Sequence, residues 1–157
     1  MTMDVTERAE LIARYADGAA EVDRALREIG PDGLDRRPGD GSWTPREVVH
    51  HLADSEMRSA IRLRRLIAED DPEILGYDEA GYARTFRYAD RPIEPALDAL
   101  RAARATTLQV LEQIGDEDWR RRGRHTESGE YGVEAWLRTY AAHAHEHADQ
   151  MRRAAAG

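Results

Sequence analysis

Six histidines, His50, His51, His125, His143, His145 and His147, carry the clearest chemical potential in this 157-residue chain. Five of them fall in two short clusters, and imidazole is the side chain most often used to hold a transition metal. His143 and His147 are four residues apart. On a helix that spacing places two side chains one above the other, roughly 5–6 Å between Cβ atoms, so both rings can address one ion. At about 100° per residue, His147 falls on the apolar face of its helix and His143 at the edge of that face. His145 projects the other way, toward solvent or a partner chain. The same projection separates the other pair. His51 lies beside the apolar face formed by Val48, Leu52 and Leu66, in line with Ser55, Arg58 and Arg62, whereas His50 lies on the far, exposed side. His125 sits in a polar stretch and has no such companion. Three histidines from two helices would leave a coordination position open for water or substrate, as catalytic metal sites do. By itself the H-x-x-x-H pair is a weak motif, since histidines also decorate exposed helix faces or bond to carbonyls in cores.

Helices must position these rings, and the sequence supplies four. The first is predicted over about Thr6 to Ile29, with Leu11, Ile12, Tyr15, Ala19, Val22, Leu26 and Ile29 at helical spacing; Gly30 and Pro31 stop it. The second opens on a capping box, Thr44-Pro45-Arg46-Glu47, with proline at the first helical position, and runs to about Glu69. It carries Ala53, Met57, Ala60 and Ile61 on its other side, a second apolar face suited to full burial or a subunit contact. The third runs from about Ile93 to Ile114 and the last from about Val133 to Arg153. Residues 70 to 91 form a long connection whose aromatics, Tyr77, Tyr82, Phe86 and Tyr88, suit it to fold over the bundle, with a short helix near Asp78 to Arg84. Trp119 to Gly132 reads as a loop or small hairpin. The expectation is one all-α domain: a four-helix bundle with a long crossover between helices 2 and 3.

Composition narrows the function classes. The net charge of −8 argues against nucleic acid as a partner. No run of eighteen apolar residues offers a membrane span, and the first residues lack a signal-peptide pattern, so a cytoplasmic location is expected. The chain has no cysteine, which excludes disulfides, thiolate ligands and a cysteine nucleophile.

The segment Ser42-Trp43-Thr44-Pro45-Arg46-Glu47-Val48-Val49-His50-His51-Leu52-Ala53-Asp54-Ser55 resembles the DinB-like superfamily, and within it the YfiT branch. The likeness continues in order through Met57, Ile61 and Arg62, Tyr77-Asp78-Glu79, Asp116-Glu117-Asp118 with Trp119, His125, and the terminal cluster Tyr140, His143, His145 and His147. The resemblance implies a DinB-like bundle, often a homodimer, with a three-histidine metal site at His51, His143 and His147. Where that branch carries further histidines this chain has Glu56, Glu146 and Gln150, which changes the lining of the pocket.

Two chemistries suit such a site. The resemblance implies an S-transferase that takes a low-molecular-weight thiol of the bacillithiol or mycothiol kind, or a metal-dependent hydrolase. A metal deprotonates a bound thiol, and it equally turns bound water into a nucleophile near neutral pH. Lacking cysteine, the protein must draw its thiol from a cosubstrate. Arg58 and Arg62 are candidates to hold a carboxylate of that thiol. Asp54 and Glu56 are candidate bases for the hydrolytic alternative. A non-catalytic dimer that binds a metal or a small molecule is the third reading. Imidazole donors leave several divalent ions open, with zinc or nickel first.

Overall fold

The computed structural model describes residues 2–157, and its main elements are four long helices. Helix α1 spans Val5–Gly33, α2 Pro45–Ala68, α4 Glu94–Gln113 and α6 Val133–Ala156. Between them lie two short helices, α3 (Glu79–Thr85) and α5 (Asp116–Trp119), and three short strands, β1 (Glu73–Ile74), β2 (Arg122–His125) and β3 (Gly129–Gly132).

Local sequence explains where the helices begin and end. Asp4 caps α1 by accepting from the Glu7 amide, and the capping box at α2 is complete: Thr44 accepts from the Glu47 amide and Glu47 from the Thr44 amide. Gly30 does interrupt α1, at a φ of 64°, but Pro31 starts one more helical turn that reaches Gly33. Pro31 suits that place because a proline fits the first turn of a helix.

Helix α1 packs on α6 and α4, while α2 packs on α4 and α6. The ring order is therefore α1–α6–α2–α4, with the consecutive helices α1 and α2 on a diagonal. This arrangement makes α2 the direct neighbour of α6 and so brings the two histidine clusters together. The core fills two regions. One centres on Tyr15, Leu63, Leu66, Trp136 and Leu137, the other on Val22, Val49, Leu52, Leu100, Ala148 and Met151.

The Trp119 to Gly132 stretch, read as a loop or small hairpin, holds a hairpin: β2 and β3 pair antiparallel, with His125 opposite Gly129. Strand β1 adds to it in parallel, Ile74 beside His125, a pairing not expected from the sequence. This small sheet ties the crossover to the hairpin. The expected short helix in the crossover is α3. Among the described residues, no helix is long and apolar enough to cross a membrane.

Candidate metal centre

His51 stands one and a half turns into α2, and His143 and His147 stand on successive turns of α6. Their Nε2 atoms converge. Nε2 of His147 lies 3.2 Å from Nε2 of His51 and 3.2 Å from Nε2 of His143. Three nitrogens bound tetrahedrally at about 2.0 Å would stand roughly 3.3 Å apart, so the donor set fits one ion. His147 packs edge to face on His51 and on His143, with ring centroids 4.7 Å and 4.5 Å away, and His51 and His143 are tilted with centroids 5.5 Å apart.

Hydrogen bonding and burial prepare these nitrogens as ligands. Nδ1 of His147 donates to Oε1 of Gln150 at 2.6 Å, because an amide oxygen can only accept. That places the neutral ring's lone pair on Nε2, aimed at the other two histidines. Nδ1 of His143 is buried and has no partner. Burial holds all three rings neutral. It lowers the pKa of His51 to about 3, helped by the His147 charge, and that of His143 to about 2, helped by His147, His51 and Arg104. His147 is lowered too, chiefly by burial, with the Gln150 bond opposing. Trp43 covers His51 with ring centroids 5.0 Å apart, and Tyr140 packs edge-on to His143 at 5.5 Å.

The other histidines sit differently. His50, expected to be exposed, is 2 % exposed. Its Nε2 bonds the Arg91 carbonyl at 3.0 Å and its ring stacks on Tyr88, because the crossover folds over this side of α2. His145, expected to face solvent or a partner, is half-buried against α1, with Nε2 3.1 Å from the Arg14 carbonyl. Asp17 and Glu21 lie close enough to join it in a second potential ligand group, but Arg24 pairs with both carboxylates and Arg152 with Glu21. His125 stands on β2, beside Tyr131.

Both candidate bases are engaged elsewhere. Glu56 is completely buried. Oε1 accepts from the Tyr15 hydroxyl at 3.0 Å and from the Ser59 hydroxyl at 3.3 Å, and Oε2 lies 3.1 Å from Nε of Arg104. Arg104, itself 3 % exposed, donates to the carbonyls of Tyr15 (2.6 Å) and Tyr140 (2.9 Å). Glu56 is thus an anchor joining all four long helices, and solvent or substrate cannot reach it. Asp54 accepts a hydrogen bond from Tyr88.

Of the two candidate arginines, Arg62 touches the metal centre's surroundings: it donates to the Tyr140 hydroxyl at 3.0 Å and to the Leu75 carbonyl. Arg58 stacks on Tyr77, 4.3 Å from the ring centre, and bonds the Tyr82 hydroxyl. The sequence placed Tyr140 in the terminal cluster and Gln150 in the lining of the pocket, but gave Trp43 and Arg104 no role beside the site: Trp43 precedes α2 and Arg104 comes from α4, and neither carries a local signal.

Comparison with known proteins identifies the lineage. The DinB superfamily model matches residues 7–151. The chain belongs to the DinB superfamily. A protein of Oceanobacillus iheyensis provisionally named a metal-dependent hydrolase is 35% identical over 141 residues, covering 87% of this chain and 81% of its own. One of Bacillus cereus with the same provisional name is 31% identical over 136 residues, covering 87% and 78%. The solved structure of YfiT from Bacillus subtilis, described as "a probable metal-dependent hydrolase with an unusual four-helix bundle topology", superposes with a TM-score of 0.90. It is 26% identical and the match covers 98% of this chain and 88% of that one.

Proposed function

We propose that this DinB-superfamily protein is a metal-dependent enzyme that holds one divalent ion, zinc or nickel, through Nε2 of His51, His143 and His147, and that it is a thiol S-transferase. The observation that carries the metal reading is the convergence of three Nε2 atoms, with a 3.2 Å separation on either side of His147. A divalent ion held there supplies Lewis acidity, which lowers the pKa of a thiol or a water bound at its open side.

The protein's own groups favour the transferase. Glu56 is buried against Arg104 and Tyr15, and Asp54 accepts from the Tyr88 hydroxyl on a side of α2 that none of the three histidines lines, so neither carboxylate proposed as a base faces the open side of the metal centre. A coordinated thiol gives up its proton outright and needs no such base, whereas zinc hydrolases of the H-E-x-x-H kind set a glutamate beside the metal-bound water as general base. In the thiol transfer the sulfur would form the new bond to an electrophilic carbon, the leaving group would depart with its electron pair, and the thiol proton would pass to solvent. Gln150 holds His147 in the binding tautomer, Trp43 and Tyr140 exclude water from two sides, and Arg62, bonded to Tyr140, presents a cation for a carboxylate of the thiol.

The second reading, hydrolysis, is favoured by the provisional names of the relatives. Incubating the metal-loaded protein with 1-chloro-2,4-dinitrobenzene, with and without a low-molecular-weight thiol, and separately with a p-nitrophenyl ester, divides the two. Turnover that requires thiol supports the transferase. Ester cleavage in water alone, with no thiol-dependent reaction, overturns it in favour of the hydrolase.

A further inference from the structure

A groove of about 550 Å³ lies along the outer side of α2, closed by α3 and β1, and none of the six histidines lines it. Its floor is apolar and open. Met57 is 46 % exposed, Ile61 58 %, Leu75 52 % and Phe86 46 %. Among the described residues these are four of the five large apolar side chains that stand exposed, the fifth being Val5. An exposed apolar cluster of this kind, bordered by polar groups, marks a binding surface, and the volume is in the range of small-molecule sites.

The border is cationic. Arg58, Arg62, Arg65 and Arg91 line the groove, against a single carboxylate, Asp54, which the Tyr88 hydroxyl already engages. Arg65 is paired with Glu69, but Arg58, Arg62 and Arg91 have no carboxylate within salt-bridge distance among the described residues. Tyr77, Tyr82 and Tyr140 and the carbonyls of Leu75 and Phe86 hold these three guanidinium groups in place, so they are ordered without being neutralised. In a chain of net charge −8, this is a local reversal of sign.

We propose that the groove binds small amphipathic carboxylates, molecules with an apolar acyl or aryl body and a terminal carboxylate. The body would cover Met57, Ile61, Leu75 and Phe86, and the carboxylate would meet the guanidinium groups, whose planar fork matches it. A second copy of this chain fits less well. A two-fold contact sets the same patch against itself, which would oppose the arginines of one copy to those of the other. Arg62 joins the groove to Tyr140 and thence to His143, so a bound molecule would be separated from the metal centre by these two side chains. Its use as a substrate rests on the metal-enzyme reading, whereas its binding does not.

Decanoate is the probe, measured by titration calorimetry against the full chain with and without chelator, alongside 1-decanol and acetate. The parent should bind decanoate saturably, with the same affinity in both conditions because no histidine lines the groove. Decanol and acetate should bind about tenfold more weakly or worse, each lacking one half of the recognition. Arg58→Gln and Ile61→Glu, at positions that leave the core intact, should each weaken decanoate binding by about tenfold or more. Absence of saturable decanoate binding in the parent overturns the proposal whether or not metal is present. So does equal binding of decanol. A parent that is dimeric by light scattering and becomes monomeric as Ile61→Glu would assign the face to a second copy instead.

Discussion

Gln150 stands one turn beyond His147 on α6 and accepts the Nδ1 proton of that ring at 2.6 Å. The bond fixes which nitrogen of His147 faces the other two histidines. Partners of this kind typically change metal affinity by about 10–100-fold when removed. Gln150→Ala should therefore bind zinc or nickel about tenfold or more weakly than the parent in a chelator competition, with the fold intact by circular dichroism. Gln150→Glu, which keeps an acceptor, should retain most of the affinity.

Acid should weaken the metal-free fold through the same rings. His51 and His143 titrate well below the ordinary histidine value in the folded protein, to about 3 and about 2. In the unfolded chain they take up protons near pH 6.5. Below that point the unfolded state binds more protons, so the stabilisation is fully present above about pH 6.5 and is lost as pH falls, by up to about 1.4 kcal/mol per histidine per pH unit. Urea denaturation in chelator at pH 7.5 and pH 5.5 checks this: the midpoint should fall on acidification. His51→Ala should reduce the pH dependence.

The Glu56–Arg104 pair makes a distinct stability prediction. Removing one partner leaves a buried, unpaired group, at a cost of roughly 3–5 kcal/mol. Burial already pushes the Glu56 carboxyl upward, with Arg104, Tyr15 and Ser59 opposing. Glu56→Met and Arg104→Met should each destabilise strongly in urea titration, and the double variant should be more stable than the two losses added together predict. Folded Glu56→Gln should keep its metal and its turnover. A catalytic base would instead lose about 10²–10⁴-fold in rate.

Gly18 explains how α1 admits the Arg104 guanidinium. A Cβ there would overlap Nη1 of Arg104 and stand 3.0 Å from Cβ of Ala144. Alanine is ordinarily the better residue inside a helix by about 1 kcal/mol. Here Gly18→Ala should lower stability, by about 1–3 kcal/mol, because Arg104 is held by two carbonyls and has nowhere to retreat. The thermal midpoint of the variant is the check.

The sequence made the local features legible. The Thr44–Glu47 capping box marked the start of α2 to the residue, and helical projection selected His51, His143 and His147 as the three that face one another. Long-range features were not legible. His50 looked exposed because its cover, Tyr88 and the Arg91 carbonyl, arrives from the crossover some forty residues on. Glu56 projected beside the core, but the projection could not name Arg104 on α4 as its partner. Strand β1 is two residues long and pairs with a strand about fifty residues later, and two residues carry no periodicity to read.

Whether His51, His143 and His147 hold one metal ion is decided by elemental analysis of the purified protein beside His147→Ala, each also reconstituted with zinc and with nickel. The parent should carry close to one ion per chain, and the variant should lose most of it. Equal metal in both proteins, or none in the parent after reconstitution, would contradict a three-histidine site.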